Sequence, residues 1–499
     1  MTGVGRCSSR KAPVIKLAAG AAEDDHLVLL GQLNSSTACF WLKQVCMDKG
    51  VGGQGGGIKP ERWHRAYEFD STKIQMLPLA GTTTPLLEHA RQLDHIALER
   101  ANGTVHRCIE EHAAKGSTKL LDSLIERRHR QDRLQSSLIY LQEELDWLCY
   151  ALYKVDDAAV EADGSLAIAA FPEVTAGQRP FEIRLACKDV LIRNDIADGK
   201  RTTEEPTIWF DVHGIEPVTD TAAIEDAAYR ARVEARLALI ERSAALQLLE
   251  QPTYKRRWYK PDYEAEEREA LDGWLADRLE DWAKTQASPW TLAQAAVALE
   301  GEPAVRAVCE VRTGRKDYSL VAELKRLVEG DSVPGNKHQV YKAKGLEKRA
   351  AWERTWALQH AEDRGEKVDV PVPPKYGSGD FAKIGYWRLR GKLDVPKERF
   401  IAFAEMPRAT GERALYGWAG WTPLQRAQVY LELDERAETQ GLAVEDRYGL
   451  LWGAWFLLPW VAWENPAAAD EFRAVIQDLV GAAGVTEAML ARWAEGAGA

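Results

Sequence analysis

The chain is expected to be an α+β protein in which helices predominate. Apolar residues recur at three- and four-residue steps through most of its 499 residues, the pattern of a helix with one buried stripe. Strand-like stretches are short and bounded by Pro, Gly and Asp. With 45% apolar and 28% charged residues, the composition is that of a folded chain rather than a disordered one. Its length exceeds what one core usually serves, so two to four domains are expected.

In chain order, Ala12 to Leu17 reads as a strand and Asp25 to Met47 as a helix, followed by a Gly-rich loop from Gly50 to Gly57. No Lys-Ser or Lys-Thr follows those glycines and a helix precedes them, so a phosphate-binding P-loop is not supported. Thr84 to Ala114 and Thr118 to Tyr153 read as an antiparallel helical hairpin joined by Lys115-Gly116-Ser117. Leu134, Leu138, Leu141, Leu145 and Leu148 form the stripe of its second arm. From Ala158 to Pro217 the pattern turns β-like, with strands expected at Ser165 to Phe171, Phe181 to Leu185 and Thr207 to Val212. Helices resume at Ile224 to Glu250, Tyr263 to Lys284 and Gly345 to Glu362. The last third reads as helices at Pro423 to Gln440, Asp446 to Trp463 and Ala467 to Ala494. The domain expectation is 1–80, a helical hairpin at 81–157, an α+β and helical middle at 158–335, and a mainly helical 336–499.

A net charge of −11 argues against wholesale coating of nucleic acid but leaves local basic patches open. Seven scattered Cys without a CxxC pair indicate neither a zinc ribbon nor a disulfide scaffold. Met1 to Lys11 lacks the apolar core of a secretory signal, and the apolar run Tyr448 to Trp463, interrupted by Pro459, is too short for a membrane span. A cytoplasmic protein without membrane contact is expected.

The search for an enzymatic centre returns no HExxH, GxSxG or Walker lysine. Asp211 and His213 are too few ligands for a metal and read as turn formers at a strand end. Glu143, Glu144 and Asp146 point in different directions on a helix and read as a solvated face rather than an acid/base pair. Neither Asn465-Pro466 nor Pro373-Pro374 fits the polar-Pro-Pro-aromatic loop of amino-methylating enzymes, and no Gly-rich strand-to-helix turn offers a nucleoside-cofactor site. No catalytic, cofactor or metal residue is assigned.

Three basic, aromatic islands remain. Pro371 to Ile401 sets Tyr386, Trp387 and other rings among Arg388, Arg390, Lys392, Lys397 and Arg399. YKRRWYKP, Tyr254 to Pro261, holds Lys255, Arg256, Arg257 and Lys260 around Trp258 without an acidic residue. EKRAAWERTWALQ, Glu347 to Gln359, places Trp352 and Trp356 one turn apart. Such cations can pair with phosphates while rings stack or wedge. Equally, long basic stems cover apolar neighbours, and a Trp pair at i,i+4 normally packs in a core or interface.

Several of these strings carry a resemblance. LNSSTACFWLKQV (Leu33 to Val45), YEFDSTK (Tyr67 to Lys73) and LQEELDWLCYALY (Leu141 to Tyr153) resemble the region behind the catalytic domain of Eco57I-like adenine-specific DNA methyltransferases. YKRRW, KRAAWERTWALQ (Lys348 to Gln359) and PPKYGSGDF through YWRLRGKLDVPKERFI (Pro373 to Ile401) resemble the C-terminal domain of the methyltransferase of type-2 Pgl/BREX phage-defence systems. The resemblance implies that Leu33 to Leu79 ends a target-recognition domain and that the remainder is the family's C-terminal extension. It also implies S-adenosylmethionine as cofactor of the full-length family, with double-stranded DNA, other BREX components or an N-terminal methyltransferase half as partners. The cofactor-binding fold and the Asn-Pro-Pro-Tyr-type loop of that family match no position here. A catalytically incomplete C-terminal portion, from a truncated or split gene or a late start, is therefore expected. Its role would be DNA binding through Lys255, Arg256, Arg257, Trp258, Lys260, Tyr386, Trp387, Arg388, Arg390, Lys392, Lys397 and Arg399. The competing expectation is a scaffold that docks on a separately encoded catalytic subunit without touching DNA.

Overall fold

A computed structural model describes residues 15–50, 61–81, 83–115, 119–156, 158, 171–200, 202, 204–336, 340–389, 398–403 and 414–497. It is 66% helical with small sheets, the predominantly helical α+β class that the apolar periodicity predicts. The chain divides into two compact units, one of Met1–Cys108 with Asp122–Glu266, the other of Ile109–Leu121 with Glu267–Ala499.

The first unit is organised by the helix Leu120–Leu152, about 50 Å long at the usual rise per residue. Every residue from Leu138 to Tyr150 is buried, so this stretch is enclosed on all sides and its leucine stripe is only one of its packed faces. The helix expected at Asp25 to Met47 is two, Glu23–Leu33 and Ser36–Val45. Ser35 separates them because its hydroxyl accepts from the Ala38 amide, an N-cap that starts a new helix. Likewise Thr84 to Ala114 breaks into Thr84–Asn102 and Val105–Lys115. At the break the Gly103 carbonyl accepts from Arg127 Nε at 2.7 Å and Gln131 Nε2 at 3.1 Å, and a Cβ on Gly103 would run into the Gln131 amide. The hairpin is thus three helical segments; residues 116 and 117 of its expected linker lie outside the described residues.

Two of the three strands expected in the insert are not strands. Phe181 to Leu185 belongs to the helix Pro180–Ala197, and Thr207 to Val212 overlaps the short helix Trp209–His213. Pro180 at the first helical position and the Arg179–Glu182 pair one turn apart favour a helix start. Short apolar runs do not distinguish the two periods. Gly214, at φ +63°, ends the Trp209–His213 turn in the left-handed conformation. Residues 165–170 of the strand expected at Ser165 to Phe171, 12–14 of the one expected at Ala12 to Leu17 and 51–57 of the Gly-rich loop lie outside the described residues. Ile15 to Leu17 form no strand. A two-residue ladder pairs Met47–Asp48 with Tyr67–Glu68.

In the second unit a four-stranded sheet runs in the order Trp290–Thr291, Leu415–Trp418, Phe400–Ala402, Ser332–Pro334, the last two parallel and the others antiparallel. Helices Pro423–Thr439, Val444–Glu464, Pro466–Ala482 and Glu487–Ala497 follow. Expected as one helix, the last two are separated by Gly484 at φ +69°. Leu433, Leu450, Leu451, Val461 and Ile476 centre their shared core. Gly453 lets Val444–Glu464 approach the Tyr430 ring, which a Cβ would meet at 2.6 Å. Among the described residues no single helix is long and apolar enough to cross a membrane.

Candidate nucleic-acid interface

Four of the resemblance-bearing strings meet in the first unit. The Ser36 amide and hydroxyl donate to the two oxygens of Asp146, at 2.8 and 2.6 Å, which ties LNSS to the long helix. Lys43 Nζ donates to the Thr253 carbonyl at 2.5 Å and sits 5.3 Å from the Tyr67 ring centre. Phe40 meets Tyr254 edge to face at 5.1 Å. The strings around Leu33, Tyr67, Leu141 and Tyr254 are therefore one packed locus.

At its centre lies a network of buried ions. Lys255 Nζ is 2.8 Å from Glu250, 3.0 Å from Asp146 and 3.1 Å from Glu143, all with side chains shut off from solvent. Tyr150 also donates to Glu250, at 2.7 Å. Around this core, Glu144 receives Arg232 and Arg236, each at 2.9 Å. Arg179 forks onto Glu182 at 2.6 and 2.9 Å, and the Glu182 carboxylate also accepts from the Gly177 amide and the Trp209 indole. Burial opposes the charge on Lys255, but Asp146, Glu143 and Glu250 outweigh it and hold the ammonium pKa well above its usual value. Burial raises the Glu143 carboxyl, yet Lys255, Arg236 and Arg179 bring it below the ordinary range. For Glu250 burial prevails over Lys255 and the pKa rises.

Two expectations change here. Glu143, Glu144 and Asp146 do point in different directions, but into the interior, because the helix that carries them has no solvent face at that level. Lys255 is no surface cation; its ammonium is consumed by three carboxylates. Trp258 also departs from a stacking or wedging role: its ring is 5% exposed and packs in a core with Ile96, Leu138 and Val233.

The neighbours of Lys255 face outward. Arg256 is exposed, its guanidinium 5.0 Å from the Trp258 ring centre, while its carbonyl accepts from Arg179 Nη1 at 2.8 Å. Partial burial and, after it, the nearby Arg100 lower its pKa. Arg257, also exposed, lies 5.2 Å from the Trp63 ring centre and donates to the Trp63 carbonyl. Lys260 is exposed, and its amide donates to the His213 carbonyl at 2.9 Å. Among the described residues none of these three side chains is ion-paired. His213 itself is buried, its Nδ1 2.6 Å from the Trp209 carbonyl; it closes a helical turn rather than a strand end, and burial lowers its pKa.

In the second unit the island at Pro371 to Ile401 is more inward than its composition suggests. Trp352 donates to the Pro374 carbonyl at 3.0 Å and stacks with Tyr376. Phe381 and Phe400 are buried. Arg399 is held by Asp277 at 2.5 Å and by Glu280 and Asp331 at 3.5 Å, an acidic cluster in the same unit that accounts for its charge. Arg388 is exposed at the end of the short helix Ile384–Arg388, beside half-buried Tyr386 and Trp387. Arg390, Lys392 and Lys397 lie outside the described residues.

Whether the described residues could hold S-adenosylmethionine turns on a Gly-rich strand-to-helix turn. Gly417 lies within the strand Leu415–Trp418 and Gly420 between that strand and the helix Pro423–Thr439, but the rings of Trp421 and Trp418 fill the space beside them. No room for a nucleoside is left there. Nor does any group of three or more His, Cys, Asp or Glu among the described residues stand ready for a metal ion.

Residues 138–498 match the family model described as Domain of unknown function (DUF7008). The chain is 37% identical, over 97% of its length, to the C-terminal part of "Adenine-specific methyltransferase PglX" of Streptomyces coelicolor, in accord with the expected resemblance. It spans about 40% of the length of that relative. No solved structure matches.

Proposed function

Since the chain belongs to the DUF7008 family, we propose that it is the DNA-contacting part of a BREX-type, site-specific adenine methyltransferase in phage defence. On this reading S-adenosylmethionine and the methyl-transfer chemistry belong to the portion of such an enzyme that precedes the matched region. This chain contributes phosphate contacts and surfaces for other components of the defence system. Arg256, Arg257 and Lys260 are the first-unit contacts, and Arg388, with Tyr386 and Trp387, the second-unit candidates.

One observation supports the reading above others. A loop rooted by Lys255 in a buried charge network exposes Arg256 and Arg257, neither of them ion-paired with a carboxylate among the described residues. Guanidinium groups so placed can exchange water for phosphate oxygens and release condensed counterions. Rooting matters because a pre-ordered loop loses less entropy on binding. Fluorescence anisotropy with a duplex at several salt concentrations tests this. Each phosphate contact steepens the dependence of log K on log salt by about 0.9, so Arg256→Ala/Arg257→Ala should flatten the slope by about 1.8. An unchanged slope and affinity would refute the assignment.

A second reading, docking on a separately encoded catalytic subunit, is favoured by the capture of Arg399 within its own unit. It predicts salt-resistant association with that subunit and no affinity of this chain for DNA.

A further inference from the structure

Side chains of the loop rooted by Lys255 divide between interior and solvent. Lys255 and Trp258 are buried, whereas Arg256, Arg257, Tyr259 and Lys260 are exposed. Tyr259 stands out at 52% exposure: among the described side chains it is the only exposed Phe, Tyr or Trp. The sequence reading chose its neighbour Trp258 for contact with bases, but that ring is spent on a core.

The inner side of Tyr259 rests on buried rings. Its ring centre lies 4.6 Å from that of His213, which lies 4.2 Å from Trp209 and 5.2 Å from Trp63. None of these three is more than 2% exposed. His213 is itself held in place through Nδ1 on the Trp209 carbonyl. The backbone is fixed on both sides of the tyrosine. Its carbonyl accepts from Gln135 Nε2 at 3.1 Å, and the Lys260 amide donates to the His213 carbonyl at 2.9 Å. Arg257 lies over Trp63 of the same set, 5.2 Å from the ring centre. A chain of ring contacts therefore begins in the interior and ends in solvent at Tyr259, flanked in sequence by Arg257 and Lys260.

We propose that Tyr259 stacks on a DNA base that has come loose from its neighbours, beside phosphates held by Arg256, Arg257 and Lys260. The inference rests on the duplex contacts proposed above and adds the ring that reads the state of the base stack. Every base offers a π-face, so such stacking tolerates any sequence. Its opposing cost is the unstacking of the base, which is least at a mispaired position. A ring already fixed from behind loses little freedom on binding. The cations thus set the salt dependence, while the tyrosine sets a preference for a disturbed step over a perfect one.

Fluorescence anisotropy of the full chain with two duplexes of equal length, one fully paired and one with a single mismatched pair, tests the proposal. Both carry the same number of phosphates, so the electrostatic contribution is common to them. The wild type should bind the mismatched duplex about tenfold tighter, a comparison that needs no variant. Tyr259→Ala should lose this preference with its salt slope and circular dichroism melt unchanged, and Tyr259→Phe should keep it. The proposal is overturned if the wild type binds both duplexes alike, if the preference survives Tyr259→Ala, or if Tyr259→Ala flattens the salt slope as well. Should Arg256→Ala/Arg257→Ala flatten the slope while Tyr259→Ala changes nothing, the stacking role alone fails. Should the double variant leave slope and affinity unchanged, the duplex contacts fail and the stacking role with them.

Discussion

Removal of the Lys255 ammonium, as in Lys255→Met, would leave Glu143, Asp146 and Glu250 facing one another with no cation at 2.8–3.1 Å. Deleting one partner of a buried ion pair costs about 3–5 kcal/mol, and here one cation serves three carboxylates. The mutant's escape is protonation. Burial already raises Glu250, and without Lys255 its folded pKa should climb further. A carboxyl whose folded pKa exceeds its unfolded one imposes no cost below the unfolded pKa and its full cost above the folded one. The Lys255→Met deficit should therefore be small near pH 5 and grow toward pH 8. Urea denaturation at both pH values measures it, and hydrogen exchange of the Leu138–Tyr150 amides localises it to the long helix. Glu250→Gln should restore part of the loss at pH 8 by removing one of the stranded charges. A Lys255→Met chain within about 1 kcal/mol of wild type at pH 8, with amide protection intact, would refute the view that this ammonium roots the loop.

Three further outcomes follow from single contacts. Trp258→Ala should cost about 3–5 kcal/mol, as for a large core side chain, yet leave the salt dependence of DNA binding unchanged; the reverse pattern in denaturation and anisotropy would place the ring on DNA. Gly453→Ala pushes a methyl to 2.6 Å from the Tyr430 ring and should destabilise by about 1–3 kcal/mol, read as a lowered urea midpoint. Asp434 pairs with Arg447 at 3.1 Å, but burial lifts its carboxyl to about 6. Its cost is absent below about pH 4 and complete above about pH 6. Relative to Asp434→Asn, the wild type should thus lose about 1–2 kcal/mol between pH 4 and 7, solvent screening of the pair included; equal pH profiles in urea would contradict this.

The helix Tyr263–Lys284 was legible to its end residues, since Leu271, Trp274, Leu275 and Leu279 form one buried face. Local periodicity reports such half-buried helices well. It fails where a helix is buried all round. Glu143, Glu144 and Asp146 look solvated until Arg179, Arg232, Arg236 and Lys255 arrive from tens of residues away. No spacing rule reaches that far. The strand expected at Phe181 to Leu185 failed for another reason: the run is too short to separate a strand from the first turns of a buried helix, and Pro180 was the better signal.

The same blindness bears on charge. In the run Lys255-Arg256-Arg257 composition counts three cations alike, whereas packing turns the first inward and leaves the next two outside. Arg399 is likewise spent on Asp277, Glu280 and Asp331. The electrostatic case for DNA is accordingly narrower than the basic islands suggested. For the first-unit locus it comes down to Arg256, Arg257 and Lys260, which set a salt slope of about −2.7 if each meets one phosphate. Arg388 adds about −0.9 if the second unit takes part. A measured slope near −2.7 that survives Arg388→Ala would assign duplex contact to the loop rooted by Lys255. A slope that Arg388→Ala flattens by about 0.9 would bring the second unit onto the DNA as well.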